Sequence, residues 1–195
     1  MSAARQRWRV ALSLVSLLAA ACGGGPASSP VEPAISSPTS TRTAPPTDGV
    51  REDLERFHFQ AETLDGTSVD TRAFVGREPV AFWAWAPWCS TCNREAPGVR
   101  DAVVRYGGSI RFVGLPGLDD AAPMRVFVQR HELTAMPHAV DRQGDLWRQL
   151  GVRGQPTWVL VDVEGNVERL FGLVDAADLD RRLARLAGEP GHGGS

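Results

Sequence analysis

Residues 80–92 read Val-Ala-Phe-Trp-Ala-Trp-Ala-Pro-Trp-Cys-Ser-Thr-Cys, an apolar run that leads into two cysteines separated by two residues. The run Val80–Trp85 has the length and composition of a strand that is covered on both faces. The segment after it has helical spacing, so the first cysteine, Cys89, falls where a helix begins. This succession of strand, turn and helix predicts an α/β fold organised around the cysteine pair.

The pair Cys89 and Cys92 is suited to opening and closing a disulfide. A helix that starts at Cys89 places this sulfur beside unpaired backbone N–H groups and the positive end of the helix macrodipole. Cysteines at such sites have pKa values as low as about 3.5 to 7.5, so a thiolate is stabilised there. We expect Cys92, one turn further along, to be more buried and to resolve the mixed disulfide. The residues therefore predict a thiol-disulfide oxidoreductase whose redox-active disulfide needs no cofactor and no metal.

The rest of the chain alternates between strand and helix patterns. Asp65-Gly66 is a hairpin-turn signal between strand patterns at Phe57–Leu64 and Thr67–Val69. Pro97 interrupts the helix after Cys89 and is expected to kink it. The other predicted elements and their buried positions are Ala96, Val99 and Val103 in that first helix, a strand at Ile110–Leu115, a helix with Met124, Phe127, Val128 and His131, a helix at Asp145–Leu150, an antiparallel hairpin of Thr157–Val161 and Val167–Phe171, and a closing helix with Leu179, Leu183 and Leu186.

Residues 1–22 have the pattern of an export signal. Arginines in residues 1–9 precede the apolar run Val10–Ala21, which ends in small residues before Cys22. This run is shorter than the roughly 20 apolar residues that a spanning helix needs. Leu18-Ala19-Ala20-Ala21-Cys22 resembles a bacterial lipoprotein signal, in which Cys22 becomes the lipidated N-terminus. An ordinary cleaved signal and a retained anchor are the alternatives.

The remaining chain divides by composition. Residues 23–50 are rich in Pro, Ser, Thr and Gly, which predicts a disordered tether. Residues 51–187 are enough for one domain with one core, and residues 188–195 are a predicted flexible tail. The net charge of −2 predicts no basic surface for nucleic acid. Apart from Cys22, the chain holds only the two cysteines of the pair, so no structural disulfide framework exists and the pair itself is expected to function.

Two motifs carry a resemblance to a known family. The segment Phe82–Pro97 resembles the active-site block of extracytoplasmic thioredoxin-like proteins of the TlpA, ResA and DsbE type. Further along, Val152–Thr157, followed by Asp162 and Gly165, is similar to the second signature of the same family. The resemblance covers nearly all of residues 51–187. It implies a thioredoxin fold, with a central mixed sheet flanked by helices and an N-terminal β-hairpin extension.

The resemblance also implies roles for the second motif. Pro156 would be in the cis form, with its loop lying across the cysteine pair. A cis bend exposes the backbone of Gln155 as an edge where an extended substrate can pair, and Thr157 would contribute to the same substrate-binding loop. Trp88 would shield the disulfide and offer apolar contact to the substrate. The alternative for Trp88 is an ordinary core aromatic residue.

One departure from cytoplasmic thioredoxin bears on the direction of the reaction. Six residues before the first cysteine, thioredoxin has a buried acid that helps to deprotonate the second thiol, and this sequence has Trp83. Losing that base should slow the reducing half-reaction more than the oxidising one, which favours a disulfide donor. Glu95, which belongs to the family motif, could substitute, although it could also be an exposed first-turn acid that favours the helix dipole. Asp119 and Asp120 are a third possibility, and are otherwise loop residues and N-caps.

The predicted partners are exported protein thiols or disulfides and a membrane redox partner, at the extracytoplasmic face of the bacterial cell membrane or in the secreted or periplasmic space. The opposite direction stays open: a reductant in cytochrome c maturation would keep haem-attachment cysteines reduced. The Ser90-Thr91 dipeptide does not decide the direction, because potentials of such pairs run from about −270 to about −120 mV.

Other functional classes fit the sequence less well. A structural zinc site needs about four ligands, and the chain has no second CxxC motif. A copper chaperone would want a paired thiolate site with a nearby His or Met, and Met136-Pro137-His138 is present, but loop and core filling is the favoured explanation of that tripeptide. Peroxiredoxins need a Thr three residues before the reactive cysteine, where this chain has Ala86. A binding module with an inert cysteine link is the remaining alternative.

Overall fold

The computed structural model describes residues 50–189, so the predicted signal peptide, the lipid site at Cys22 and nearly all of the tether and tail lie outside it. None of the helices in this part of the chain combines the length and the apolar character needed to cross a bilayer. The elements are β1 (Val50–Arg51), β2 (Gln60–Glu62), β3 (Ser68–Asp70), β4 (Val80–Trp85), α1 (Ser90–Tyr106), β5 (Arg111–Pro116), α2 (Ala121–Arg130), α3 (Asp145–Leu150), β6 (Thr157–Val161), β7 (Asn166–Phe171) and α4 (Ala176–Leu186).

Five strands form one mixed sheet in the order β1-β7-β6-β4-β5. β4 runs parallel to β5 and antiparallel to β6, and β7 is antiparallel to both β6 and β1. The strands β2 and β3 form a separate antiparallel hairpin around the predicted Asp65-Gly66 turn. This is a thioredoxin-like α/β fold with an N-terminal hairpin, as predicted.

The core has a layer on each face of the sheet, because successive strand residues point to opposite sides. On one face, Trp83, Trp85 and Trp158 pack against buried residues of α1, α2 and α4. On the other face, Phe82 and Val159 pack with residues of α3 and the N-terminal segment. All six residues of β4 are buried, so this strand is held on both sides and its carboxyl end is a rigid base for the cysteine pair.

Four local expectations need correction. The first predicted strand is shorter than Phe57–Leu64, because Leu54–Phe57 form a 3₁₀ helix whose first N–H groups are capped by the Asp53 carboxylate. The helix α1 continues through Pro97 instead of being interrupted there. His131 lies just beyond α2 and is only half-buried. Val50, the last residue of the predicted tether, pairs with β7.

Candidate active site

The two cysteines lie at the junction of β4 and α1 and are joined by a disulfide. Cys89 is the N-cap of α1, and its Sγ accepts a hydrogen bond from the Cys92 N–H at 3.0 Å. Cys89 is 7 % exposed, whereas Cys92 is fully buried. Cys89 is therefore the sulfur that a partner can reach, in agreement with the predicted order of attack.

The cis-proline loop lies against the disulfide. The Gln155-Pro156 bond is cis, and the Gln155 carbonyl oxygen is 3.9 Å from the Cys89 Sγ. Within residues 50–189, the Gln155 N–H donates to no backbone carbonyl, so it is free to pair with an added strand. Thr157 does not face such a strand: it is fully buried, and its hydroxyl donates to the Gly154 carbonyl at 2.7 Å. The expectation that Thr157 contacts substrate is wrong for its side chain, which holds the loop from inside.

Trp88 is a surface residue beside the reactive sulfur. Its side chain is 58 % exposed, which excludes the alternative of a core aromatic residue. Its indole N–H donates to the Leu118 carbonyl at 3.4 Å, and Leu118 is itself exposed. Trp88, which directly precedes Cys89 in the sequence, thus forms an exposed apolar surface together with Leu118.

Glu95 is buried beneath the site and is not the exposed first-turn acid of the alternative interpretation. It is 5 % exposed and lies on the buried side of α1, as Cys92 does. Its carboxylate accepts from the indole N–H of Trp83 at 2.8 Å and of Trp158 at 3.3 Å. Burial raises the pKa of Glu95, while these donors oppose the rise. Position 83 carries no acid, but its Trp83 indole binds the buried carboxylate of Glu95 on α1.

The two other candidate acids lie at the surface. Asp120 is the N-cap residue of α2 without a side-chain capping bond, and the Asp119 carboxylate accepts from the Asp120 N–H at 2.7 Å. Both are loop residues, as their alternative interpretation expected.

Hydrogen bonds from the Asn93 side chain hold the start of α1, a role that the sequence analysis did not predict. The Asn93 amide donates to the carbonyls of Cys89 at 2.9 Å and Pro87 at 3.3 Å. Since both amide hydrogens are used, its Oδ1 is the acceptor for His131 Nε2 at 3.0 Å. Burial and the nearby Arg130 lower the pKa of His131. Only the position of Asn93 directly after the cysteine pair could have signalled this role.

The proposed copper ligands lie in the core. Met136 and His138 are 5 % and 4 % exposed, and His138 Nε2 donates to the Leu133 carbonyl at 2.9 Å. Burial lowers the pKa of His138 to about 4, so it is neutral at physiological pH. Among residues 50–189 there is no group of three or more His, Cys, Asp or Glu side chains arranged to hold a metal.

Comparison with known proteins agrees with this geometry. The Redoxin family model matches residues 38–182, about three quarters of the chain. The chain belongs to the Redoxin family. This redoxin is 33 % identical over 133 residues to the soluble secreted antigen MPT53 of Mycobacterium tuberculosis, covering 68 % of this chain and 75 % of that protein.

Two further relatives are named as thiol-disulfide or disulfide oxidoreductases. The redoxin is 26 % identical over 134 residues to the thiol-disulfide oxidoreductase ResA of Bacillus thuringiensis, covering 68 % of this chain and 76 % of ResA. It superposes with a TM-score of 0.64 and 29 % identity on a secreted Mycobacterium tuberculosis disulfide oxidoreductase homologous to E. coli DsbE, covering 68 % of this chain and 99 % of that one. With its CxxC pair at the start of α1, the redoxin is a thiol-disulfide oxidoreductase, as predicted.

Proposed function

We propose that this redoxin is an exported, membrane-tethered oxidoreductase that donates its Cys89–Cys92 disulfide to exported proteins. The observation that carries the direction is the position of Cys89 as the N-cap of α1, with its sulfur accepting the Cys92 N–H. This position stabilises a Cys89 thiolate, which exists only in the reduced protein. A fold that favours its own reduced form oxidises its partners.

The exchange proceeds in two steps at the accessible sulfur. A substrate thiolate attacks the Cys89 Sγ, the Cys89–Cys92 bond breaks, and Cys92 leaves as a thiolate that takes up a proton. A second substrate thiolate then attacks the substrate sulfur of the mixed disulfide and releases the Cys89 thiolate. The substrate loses two electrons and two protons to form its disulfide; the enzyme gains the two electrons and one proton, which is held by Cys92, while Cys89 remains a thiolate and the second proton passes to solvent. A thiolate stabilised at a helix N-terminus is a good leaving group in the second step.

Glu95 is the group suited to exchange the proton of Cys92. Residues three apart on a helix share a face, and both Cys92 and Glu95 lie on the buried face of α1. Its raised pKa allows it to hold a proton nearer to neutral pH than an exposed carboxyl could. Glu95 therefore protonates the departing Cys92 thiolate and accepts its proton in the reverse reaction.

Substrate binding would use the backbone of Gln155 and the ring of Trp88. The free N–H of Gln155 and its carbonyl are positioned for strand addition by an extended chain beside Cys89. The exposed ring of Trp88 offers apolar contact next to the same sulfur. These features suit a cysteine in an unfolded or extended segment of a protein.

Substitution of Cys89 tests the enzymatic proposal. With Cys89→Ser we expect no oxidation of a dithiol peptide, because the single remaining thiol cannot form the disulfide that the enzyme donates. Cys92→Ser keeps the accessible Cys89 thiol, and when it is mixed with the disulfide form of the same peptide we expect this thiolate to attack the peptide disulfide, release one peptide thiol and accumulate as a mixed disulfide, detected by mass spectrometry under non-reducing conditions. Unchanged turnover in Cys89→Ser would refute the proposed role of this residue.

The proposal of export rests on residues 1–22 and on the secreted relative MPT53, and the proposal of tethering rests on Cys22 and the lipoprotein-like residues before it. We expect the full chain, expressed in a bacterium, to sediment with the membrane fraction and to be released when Cys22→Ala removes the lipid site. The folded domain is unchanged in that variant, so its peptide oxidation serves as the control. Release of the unaltered chain into the medium would contradict the lipid anchor.

A reductant in cytochrome c maturation is the second candidate, and the burial of Glu95 favours it. A base near Cys92 helps this thiol to attack a mixed disulfide, which is the step that reduction requires. Equilibration of the Cys89–Cys92 pair with glutathione separates the two directions. A potential near about −120 mV supports the donor, and one near about −270 mV supports the reductant.

A further inference from the structure

A groove rich in arginine lies beside the redox site. Its lining consists of Glu52, Arg56, Arg148, Gly151, Val152, Arg153, Arg169 and Phe171. The apolar part of this arginine groove includes Phe171, whose ring is 53 % exposed. The exchange mechanism assigns no role to these residues, although Val152 and Arg153 belong to the second family motif.

Two of the arginines are fixed by the fold. Arg169 donates from Nε to the Leu150 carbonyl at 2.8 Å, and its guanidinium contacts the Glu52 carboxylate at 2.5 Å. Arg56 donates to the Gln149 carbonyl at 2.8 Å and to the same carboxylate at 2.5 Å. The pKa of Glu52 is lowered, first by its hydrogen bond from Arg169, so this carboxylate stays ionised.

The groove keeps an excess of positive charge after these pairs are counted. Arg148 pairs with Asp145, which lies outside the lining, and Arg153 is exposed and forms no ion pair or side-chain hydrogen bond within residues 50–189. Four arginines thus face two carboxylates, Glu52 and Asp145, which leaves a surplus of two positive charges. Arg153 is the cation most available to a ligand.

Two residues of the groove lining, Arg153 and Phe171, are joined through the backbone to the cis-proline loop. Arg153 precedes Gln155 by two residues, and Gln155 contacts the Cys89 sulfur. At the other wall, Phe171 pairs with Thr157, and the N–H of Gly172 donates to the Pro156 carbonyl at 2.9 Å. An extended chain advances about 3.3 Å per residue, so a substrate strand paired with Gln155 reaches Arg153 within two or three residues of its cysteine.

We propose that the arginine groove selects substrate segments that carry acidic residues within about three positions of the reactive cysteine. This inference rests on the proposed oxidation of exported proteins and names the substrate class of the same site. Carboxylates of the segment pair with Arg153 and with the surplus charge of the groove, while an apolar neighbour packs on Phe171. An anionic membrane surface is the competing occupant, but the position of Arg153 two residues before Gln155, whose carbonyl contacts the Cys89 sulfur, favours a peptide.

The test compares three dithiol peptides of identical length with the oxidised full chain. One carries two Glu residues before the first cysteine, one carries them after it, and one carries Gln at all these positions. At about 0.01 M ionic strength, where the Debye length is about 30 Å, we expect one of the two acidic peptides to be oxidised about fivefold faster than the Gln peptide. This ratio should fall towards one in 0.5 M NaCl, a concentration chosen because it screens exposed charges at a few ångströms.

Charge-reversal variants locate the effect. Arg153→Glu should lower the acidic-to-neutral ratio to about one or below, because it reverses the most available charge of the groove. Arg181→Glu is the matched control: it changes the net charge equally, but Arg181 lies on α4, which packs on the opposite face of the sheet. Its ratio should equal that of the unaltered enzyme.

The outcomes separate the inference from the function on which it rests. Oxidation of all three peptides at equal rates overturns the groove as a selector and leaves the donor function standing. Failure to oxidise any of them, with the direction of exchange reversed, overturns both. Equal peptide rates together with Arg153-dependent binding to phosphatidylglycerol vesicles would assign the groove to a membrane and overturn the inference.

Discussion

At the scale of single residues, the site depends on one exposed and one buried sulfur served by different partners. Cys89 is held at the helix terminus by the Cys92 N–H, where backbone dipoles favour a thiolate. Glu95 is held below them by two indole N–H groups that no local sequence pattern connects to it. The chemistry of attack is therefore set at the helix start, and that of proton exchange is set in the core.

Glu95→Gln should remove a defined part of the pH dependence of stability. Because the pKa of Glu95 is raised in the folded protein, this group contributes stability below its ordinary pKa that is lost as pH rises through the folded pKa. The unfolding free energy of the unaltered protein minus that of Glu95→Gln should decrease over this range. Urea denaturation at several pH values measures it.

The same variant should slow the resolving reaction. Proton transfer by a positioned side chain contributes about 10²-fold or more, so we expect at least about a tenfold lower rate for attack by Cys92 on a mixed disulfide. Glu62→Gln, an exposed acid in β2, is the control. If the difference in unfolding free energy between the unaltered protein and Glu95→Gln does not change with pH, and the rate of attack by Cys92 is also unchanged, Glu95 has no role in the mechanism.

At the scale of elements, α1 contributes both the reactive sulfur and its supports. It begins at the N-cap Cys89, carries Asn93 and Glu95 in its first turns, and continues through Pro97 to Tyr106. Gly98 lies inside this helix, where a Cβ atom would meet nothing within 4 Å. Gly66 is equally open, but its φ of 85° in the β2–β3 turn is one that side chains disfavour.

These two glycines make a matched pair for a stability measurement. Gly98→Ala should raise the unfolding free energy by about 0.5–1 kcal/mol, because it removes backbone freedom from the unfolded chain at a helical position. Gly66→Ala should lower it by about 1–2 kcal/mol, because its left-handed conformation is strained for alanine. Chemical denaturation of both oxidised variants gives the signs, and equal signs would contradict the assigned backbone conformations.

At the scale of the whole molecule, the redox state and the stability of the fold are linked. Any difference between the potential of the pair in the folded and unfolded chain must appear as a difference in unfolding free energy, with 30 mV equal to about 1.4 kcal/mol. The sheet and α1 position Cys89 so that its thiolate is stabilised only while the protein is folded. The direction of catalysis can thus be measured without a substrate.

The donor function predicts that the reduced enzyme is more stable than the oxidised enzyme. The denaturation midpoint should therefore be higher with a reductant than without it. The midpoint of Cys89→Ser, which has no disulfide to reduce, should be the same with and without the reductant. If the oxidised enzyme is more stable than the reduced enzyme, the result contradicts the donor function and favours the function as a reductant.

The sequence by itself determined the strand Val80–Trp85, the helix that begins at the cysteine pair and the α/β fold class, because each is encoded in contiguous residues. The cis form of Pro156 was predicted only through the family resemblance of its motif. Only the tertiary structure decided that Glu95 is buried under Trp83 and Trp158, that Thr157 faces inward, and that the arginines assemble beside Gln155. Burial and charge density depend on residues far apart in the chain that the sheet brings together. Local sequence patterns do not predict such contacts, because they specify a helix or strand and its faces but not which residues pack against those faces.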